Sequence, residues 1–155
     1  MQKITPFLWF DSGAREAAEF YVSVFAGESK IKDDSQLGDT PSGTVEVVTV
    51  ELLGQEFVLM SAGPFHDFNQ SVSFVVNCES QEEVDHYWDS LSADKSAEQC
   101  GWLKDKYGVP WQIVPVVLNE LLSDPDEEKA GRVMQAMLQM KKIDIAGLKQ
   151  AYDQA

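Results

Sequence analysis

Apolar side chains along this sequence fall into two kinds of run. Some are short blocks suited to strands, and others are longer stretches with the three- and four-residue spacing of a helix. The block KITPFLWF, apolar, aromatic and closed by a turn signal, predicts a strand. DSGAREAAEFYVSVFAG follows with Ala17, Phe20, Tyr21, Val24 and Phe25 at helical spacing, Asp11 or Ser12 as cap and Gly27 as terminator. TVEVVTVEL and QEFVLMSA predict strands joined by a hairpin-like turn at Leu53-Gly54, with KIKDDSQL a weaker strand before them. The order then starts again. SVSFVVN predicts a strand. SQEEVDHYWDSLS predicts a helix, with Ser80 and Glu83 as a capping box and Val84, Tyr87, Trp88 and Leu91 on one face. EQCGWLKD and WQIVP predict two more strands around a turn at Tyr107-Gly108.

The two halves superpose as patterns. A shift of 66 lays WFDSGAREAAEFYVSVF on VVNCESQEEVDHYWDSL, pairing Tyr21 with Tyr87 and Phe25 with Leu91. A shift of 54 lays LGQEFVLM on YGVPWQIV, pairing Gly54 with Gly108 and Phe57 with Trp111. Strand–helix–three strands, twice, is a specific organisation. A helical tail follows: VVLNELL, then SDPDEEKAGRVMQAMLQM, then DIAGLKQAY. The middle helix has Ser123 or Asp124 as cap, Pro125 near its first position and an apolar line Ala130, Val133, Met134, Met137, Leu138. Its methionines suit packing, in a core or between copies, better than a promiscuous binding surface. Asp144 caps the last helix. The fold class is α+β: two βαβββ modules at 1–62 and 70–115 and a helical extension at 116–155, in one domain of 155 residues.

Composition narrows the partners. A formal charge of −14 repels phosphate backbones and anionic lipid headgroups, which excludes nucleic-acid and membrane-surface binding as expected functions. No run approaches a membrane span, and MQKITPFLWF lacks the features of a signal peptide. Cys78 and Cys100 make no disulfide framework, so the expected compartment is the cytoplasm with both thiols reduced. The acidic runs KDDSQLGD, ESQEEVD and DPDEE read as solvated surface. DPDEEK lacks the glycine that a calcium-binding EF-hand loop requires.

The doubled βαβββ unit ending in DKYGVPWQIVP resembles the vicinal oxygen chelate superfamily, which includes glyoxalase I, extradiol dioxygenases and the bleomycin- and fosfomycin-resistance proteins. More narrowly, ITPFLWFDSGAREAAEFYVSVF, SVSFVVNCESQEEVDHYW, CGWLKDKYGVPWQIVP and LLSDPDEEKAGRVMQAML resemble the PhnB-like family, labelled "3-demethylubiquinone-9 3-methyltransferase domain". These stretches cover nearly the whole chain. The resemblance implies curved mixed sheets enclosing a cavity, commonly in a homodimer with exchanged elements.

In the metal-dependent relatives, the first and last strands of each half supply His, Glu, His and Glu, donors suited to divalent transition metals. By strand alternation, the equivalent positions here are Thr5 or Ile4, Val58 or a neighbour, Ser71 and Gln112. None is an imidazole or a carboxylate, and one amide oxygen is too little to hold a transition ion. His86 lies in a helix and His66 in a loop, where packing or solvent exposure is the plainer role. The expected metal site is therefore none, and glyoxalase and dioxygenase chemistry lose support with it. The family label implies S-adenosylmethionine. Yet the chain has no G-x-G pair, and its element order is not the βαβα of a parallel sheet, so no cofactor is expected.

The same alternation nominates a cavity lining: Thr5, Phe7, Trp9, Val58, Met60, Ser71, Ser73, Val75, Gln112 and Val114, with Trp111, Ile113, Phe57 and Leu59 turned toward helices. Cys100 and Trp102 share one parity of a strand whose face the sequence leaves open. Without a histidine placed nearby, Cys100 is more simply an inert thiol than a nucleophile. Such a lining, aromatic and apolar with a few hydroxyls and one amide, suits a small, partly apolar organic ligand. Two functions follow. One is metal-free binding of such a molecule, and the other is metal-free catalysis using Gln112, Ser71 or Cys100. Methyl transfer ranks behind both.

Overall fold

The computed structural model describes residues 2–154. They form two compact units, one ending at Asp67 and the other beginning at Phe68.

In the first unit, strand β1 (Phe7–Phe10) leads into helix α1 (Ala14–Val24), and strands β2 (Lys30–Thr40), β3 (Gly43–Leu52) and β4 (Gln55–Ser61) follow. The sheet order is β1-β4-β3-β2, with β1 parallel to β4 and the other pairings antiparallel. Alternation divides its faces. Leu8, Phe10, Val48, Val50, Phe57 and Leu59 are buried on the side where α1 packs, and α1 meets them with Ala14, Ala17, Ala18, Tyr21 and Val24. Three alanines let this helix lie close to the strands. KIKDDSQL, read as a weak strand, extends into an eleven-residue edge strand held by β3 alone.

The cap expected from Asp11 or Ser12 is not formed. The N-cap residue is Gly13, left-handed at φ 73, with no side-chain cap of its own. The first amides of α1 are instead satisfied from the sheet: Ala14 N–H donates to Ser61 Oγ (2.7 Å) and Arg15 N–H to Glu46 Oε1 (3.1 Å). Leu53-Gly54 forms the predicted turn, with φ 49 and 88, the pair of positive values a two-residue type I′ hairpin needs.

The second unit repeats part of this plan. Strand β5 (Phe74–Cys78), helix α2 (Gln81–Leu91), strand β6 (Trp102–Lys104) and strand β7 (Pro110–Pro115) give the order β5-β7-β6, with β5 parallel to β7. Among the described residues the counterpart of β2 is reduced to the Gln99–Trp102 bridge. Val84, Trp88 and Leu91 of α2 are buried, as are Cys78, Leu103, Trp111 and Ile113. Ser80 Oγ accepts from Glu83 N–H (3.2 Å) as predicted. The return contact, however, goes from Glu79 N–H to Glu83 Oε2 (3.1 Å), one residue outside the usual box.

EQCGWLKD is not one strand. Cys100 (φ 50) and Gly101 (φ 85) make a tight left-handed turn, and β6 begins after it. A Cβ on Gly101 would lie 3.0 Å from the Ile113 carbonyl oxygen and 3.2 Å from Ile143 Cγ1, so only glycine fits there.

Helices α3 (Val116–Leu122), α4 (Glu127–Leu138) and α5 (Ile145–Asp153) complete this unit around Leu118, Val133, Ile143 and Leu148, with Met137, Met140 and Tyr152 against them. Each fully buried Leu or Ile here contributes about 1.5–3 kcal/mol relative to exposure. The cap of α4 is Asp126, which accepts from the Glu128 and Lys129 amides, rather than Ser123 or Asp124. Asp144 caps α5 as expected. Of the predicted apolar line on α4, Met134 and Leu138 are exposed. The tail is bonded to the strands' end: Cys100 and Gly101 N–H donate to the Met140 and Lys141 carbonyls (both 2.8 Å). Gln81 bridges Ile143 O and Ile145 N–H. No helix among the described residues is long and apolar enough to cross a membrane.

Candidate functional site

In the first unit, the side of the sheet away from α1 carries the nominated residues. The register pairs Phe7 with Val58 and Trp9 with Met60, so all four share one side, continued by Thr49 and Val47 of β3. Trp9, Val58 and Met60 are half-buried, and Phe7 is exposed. Thr5 stops short of β1, and its Oγ1 accepts from Gln2 Nε2 (3.4 Å). Trp9 is fixed from two directions. Its Nε1–H donates to the Gly63 carbonyl (3.0 Å), and the rings of Phe65 and His66 stand perpendicular to it at 6.4 and 4.9 Å. The sequence reading missed Phe65 and placed His66 only as an exposed loop residue. The aromatic loop GPFHDF is the signal that could have drawn them together.

In the second unit, Gln112 is level with Val75 on β5 and with Trp102 on β6, and Val114 is level with Asn77. The face of Trp102, open in the sequence, is thus the Gln112 side. Gln112 Nε2–H donates to Ser73 Oγ (3.0 Å). Ser71 and Cys100 do not join them. Ser71 is an exposed turn residue whose amide donates to Asn69 Oδ1 (2.8 Å), and Cys100 sits in the turn before β6, its Sγ accepting from Gln99 Nε2. Cys78, expected as a small buried hydrophobe, is fully buried, and burial, then the Glu83 charge, pushes its thiol up to about 12.

Between β6 and β7 lies a buried polar group that the sequence did not reveal. Asp105 is 3% exposed. Its Oδ1 accepts from the Tyr107 and Val109 amides (2.9 and 3.0 Å), and its Oδ2 from Trp111 Nε1–H (2.9 Å). One carboxylate thus closes the DKYGVPW loop and holds the indole of β7. An aspartate two residues before a Tyr-Gly turn is an Asx-turn signal.

The superfamily's metal does not fit this chain. At the ligand positions that the resemblance implies, the candidates Thr5 or Ile4, Val58 or a neighbour, Ser71 and Gln112 offer no imidazole, and the Gln112 amide is turned to donate to Ser73. Among the described residues no group of three His, Cys, Asp or Glu side chains is placed to hold an ion. His66 packs on Trp9, and His86 is exposed beside Tyr87. A separate recess of about 710 Å³ runs between α4 and α5 over Gly131, Gly147 and Ala151. Its Arg132 guanidinium is engaged, donating to the Ala151 and Tyr152 carbonyls (both 2.9 Å) at the end of α5.

Comparison with known proteins matches this arrangement. The chain is 32% identical to the PhnB protein of Bacillus cereus over 74% of its own length and 100% of that chain, with a TM-score of 0.61. The fold is shared with protein PA1353 of Pseudomonas aeruginosa (17% identity, 74% and 98% coverage, TM-score 0.56). It is also shared with the fosfomycin resistance protein FosX of Listeria monocytogenes (15%, 79% and 98%, 0.57). No curated protein matches. The 3-demethylubiquinone-9 3-methyltransferase family model matches residues 2–114, ending on β7. The chain therefore belongs to that PhnB-like family, in the vicinal oxygen chelate superfamily with its glyoxalase/bleomycin-resistance-like α+β fold.

Proposed function

We propose that this protein binds a small, partly apolar organic molecule without a metal ion, in a cavity completed by a second copy of the chain. The observation that carries this reading is the sheet face of half-buried Trp9, Val58 and Met60 with exposed Phe7 beside them, which offers apolar and π surface but no metal donor. The second unit has a sheet face of its own, on which the Ser73–Gln112 pair and Trp102 offer polar and aromatic groups. Two free thiols, one fully buried, suit the cytoplasm. The test is a thermal-shift screen with small aromatic compounds alongside sedimentation of the protein. Binders should raise the midpoint of a dimer. A screen in which none moves it, with the protein sedimenting as a monomer, defeats the proposal.

A second reading is metal-free catalysis, favoured by the Gln112–Ser73 hydrogen bond, which orients an amide on a sheet face. Once a substrate is in hand, Gln112→Ala should abolish turnover, and unchanged turnover removes Gln112 from the chemistry. The family's name suggests methyl transfer from S-adenosylmethionine. The two short mixed sheets lack the doubly wound order and glycine-rich turn that commonly bind that cofactor. Calorimetric titration with S-adenosylmethionine should give no heat, and a stoichiometric isotherm would restore the methyltransferase reading.

A further inference from the structure

We infer that the Trp9 face of the first unit selects an organic cation, an aromatic or quaternary ammonium compound, over neutral and anionic molecules of the same shape. This rests on the binding reading above and adds the ligand's charge.

The aromatic half of the argument is geometric. The only polar atom of the Trp9 indole, Nε1, is taken by the Gly63 carbonyl, so toward a ligand the ring presents π surface alone. Phe65 stands perpendicular to it and is 67% exposed, and Phe7, two residues along the same side of β1, is 55% exposed. Indole and phenyl faces are electron-rich, and of the neutral aromatic side chains indole attracts a cation most strongly.

Apolar and aromatic surface would accept neutral molecules as readily, so the charges decide. Through Asp67 the chain carries eleven acidic side chains and four basic ones. Arg15 is held by Glu19 and Asp34 (2.9 and 2.8 Å). On the ligand side of the sheet, Lys32 bonds Glu56 at 2.8 Å and lies 3.8 Å from Glu51, while Lys30 is registered opposite Glu51. Asp33, level with Thr49 and hence with Val58, adds a third carboxylate to that side. An approaching anion meets a repulsive field and ammonium groups already opposed by carboxylates. A cation meets attraction at range and a π surface at contact.

Three acridines of nearly equal shape test this at about pH 8: N-methylacridinium as cation, acridine as the neutral compound and acridine-9-carboxylate as anion. Titration calorimetry should show the cation binding about tenfold more tightly than the neutral compound, and the anion weakest. The preference should shrink in about 0.5 M NaCl. It should fall in Trp9→Leu and also in Phe65→Leu, where an exposed ring is removed without disturbing the core. Equal affinities for all three overturn the charge selection and leave the binding reading standing. Tightest binding of the neutral or anionic compound overturns it as well. A preference intact in both variants removes the aromatic face as its source. Binding of none of the three removes the binding reading and this inference together.

Discussion

At the scale of single residues, strand parity made Gln112 legible, while Asp105 was hidden. Nothing local in the run DKYG marks its acid as buried, and the burial follows only when Trp111, six residues on, brings Nε1–H to Oδ2. With two amide donors on one carboxylate oxygen and an indole donor on the other, neither oxygen of Asp105 can be replaced by an NH2 group without opposing at least one donor. Asp105→Asn should therefore destabilise by about 2 kcal/mol, read as a lower urea midpoint at unchanged slope. Asp105→Ala should cost about as much or more, since it leaves the indole N–H without its acceptor. An Asn variant as stable as the parent would show that the loop closes without this carboxylate. The thiols separate at the same scale. Iodoacetamide should alkylate half-buried Cys100 in the native protein and reach Cys78 only after unfolding, because the thiolate that reacts is disfavoured at a fully buried sulfur. Native labelling at Cys78, located by peptide mass, would contradict that burial.

Elements are legible where periodicity runs long and hidden where their determinants lie elsewhere in the chain. The amphipathic pattern of α1 was plain, but its capping groups, Ser61 and Glu46, arrive from strands more than thirty residues away. No local signature carries that. The missing counterpart of β2 follows from Cys100-Gly101, where two positive φ values turn the chain immediately before β6. EQCGWLKD looked like a strand because cysteine is seldom seen at such a position. Leu53 is the same case in the first unit: a half-exposed, branched side chain at φ 49, in a turn that favours Asn-Gly. A left-handed backbone costs an ordinary residue about 1 kcal/mol, and asparagine tolerates it better. Leu53→Asn should therefore raise stability by about 0.5–1 kcal/mol, measured as a higher thermal midpoint, with little packing lost. A lower midpoint would mean that Leu53 makes apolar contacts its exposure conceals.

For the molecule as a whole, titration sets the range of pH over which these elements hold. Asp85 is held below the usual carboxylate range by hydrogen bonds from Gln81 and Lys142, Asp94 by Ser96, and Asp124 by the Tyr152 hydroxyl. Depressed carboxyls contribute stability above their unfolded value of about 4, and that contribution is lost as pH falls below it. The alkaline side has the opposite sign. The Cys78 thiol is pushed up to about 12 by burial, Tyr87 is raised by burial, and Tyr152 is raised by its bond to Asp124. Groups raised on folding contribute below their unfolded values, about 8.5 for a thiol and 10 for a phenol, and lose that contribution as pH climbs through the folded value. Stability should therefore form a plateau between about pH 5 and 8 and fall on both sides. The alkaline arm can be assigned to one atom. In the unfolded chain the Cys78 sulfur ionises from about pH 8.5 upward, and in the folded chain it stays protonated. Cys78→Ala loses the packing of the sulfur and should be less stable than the parent at neutral pH. It should nevertheless decline less steeply between about pH 9 and 11, because it has no thiol to ionise on unfolding. Urea midpoints for both proteins across that interval give the comparison, and parallel curves would mean that the alkaline loss belongs to the tyrosines instead.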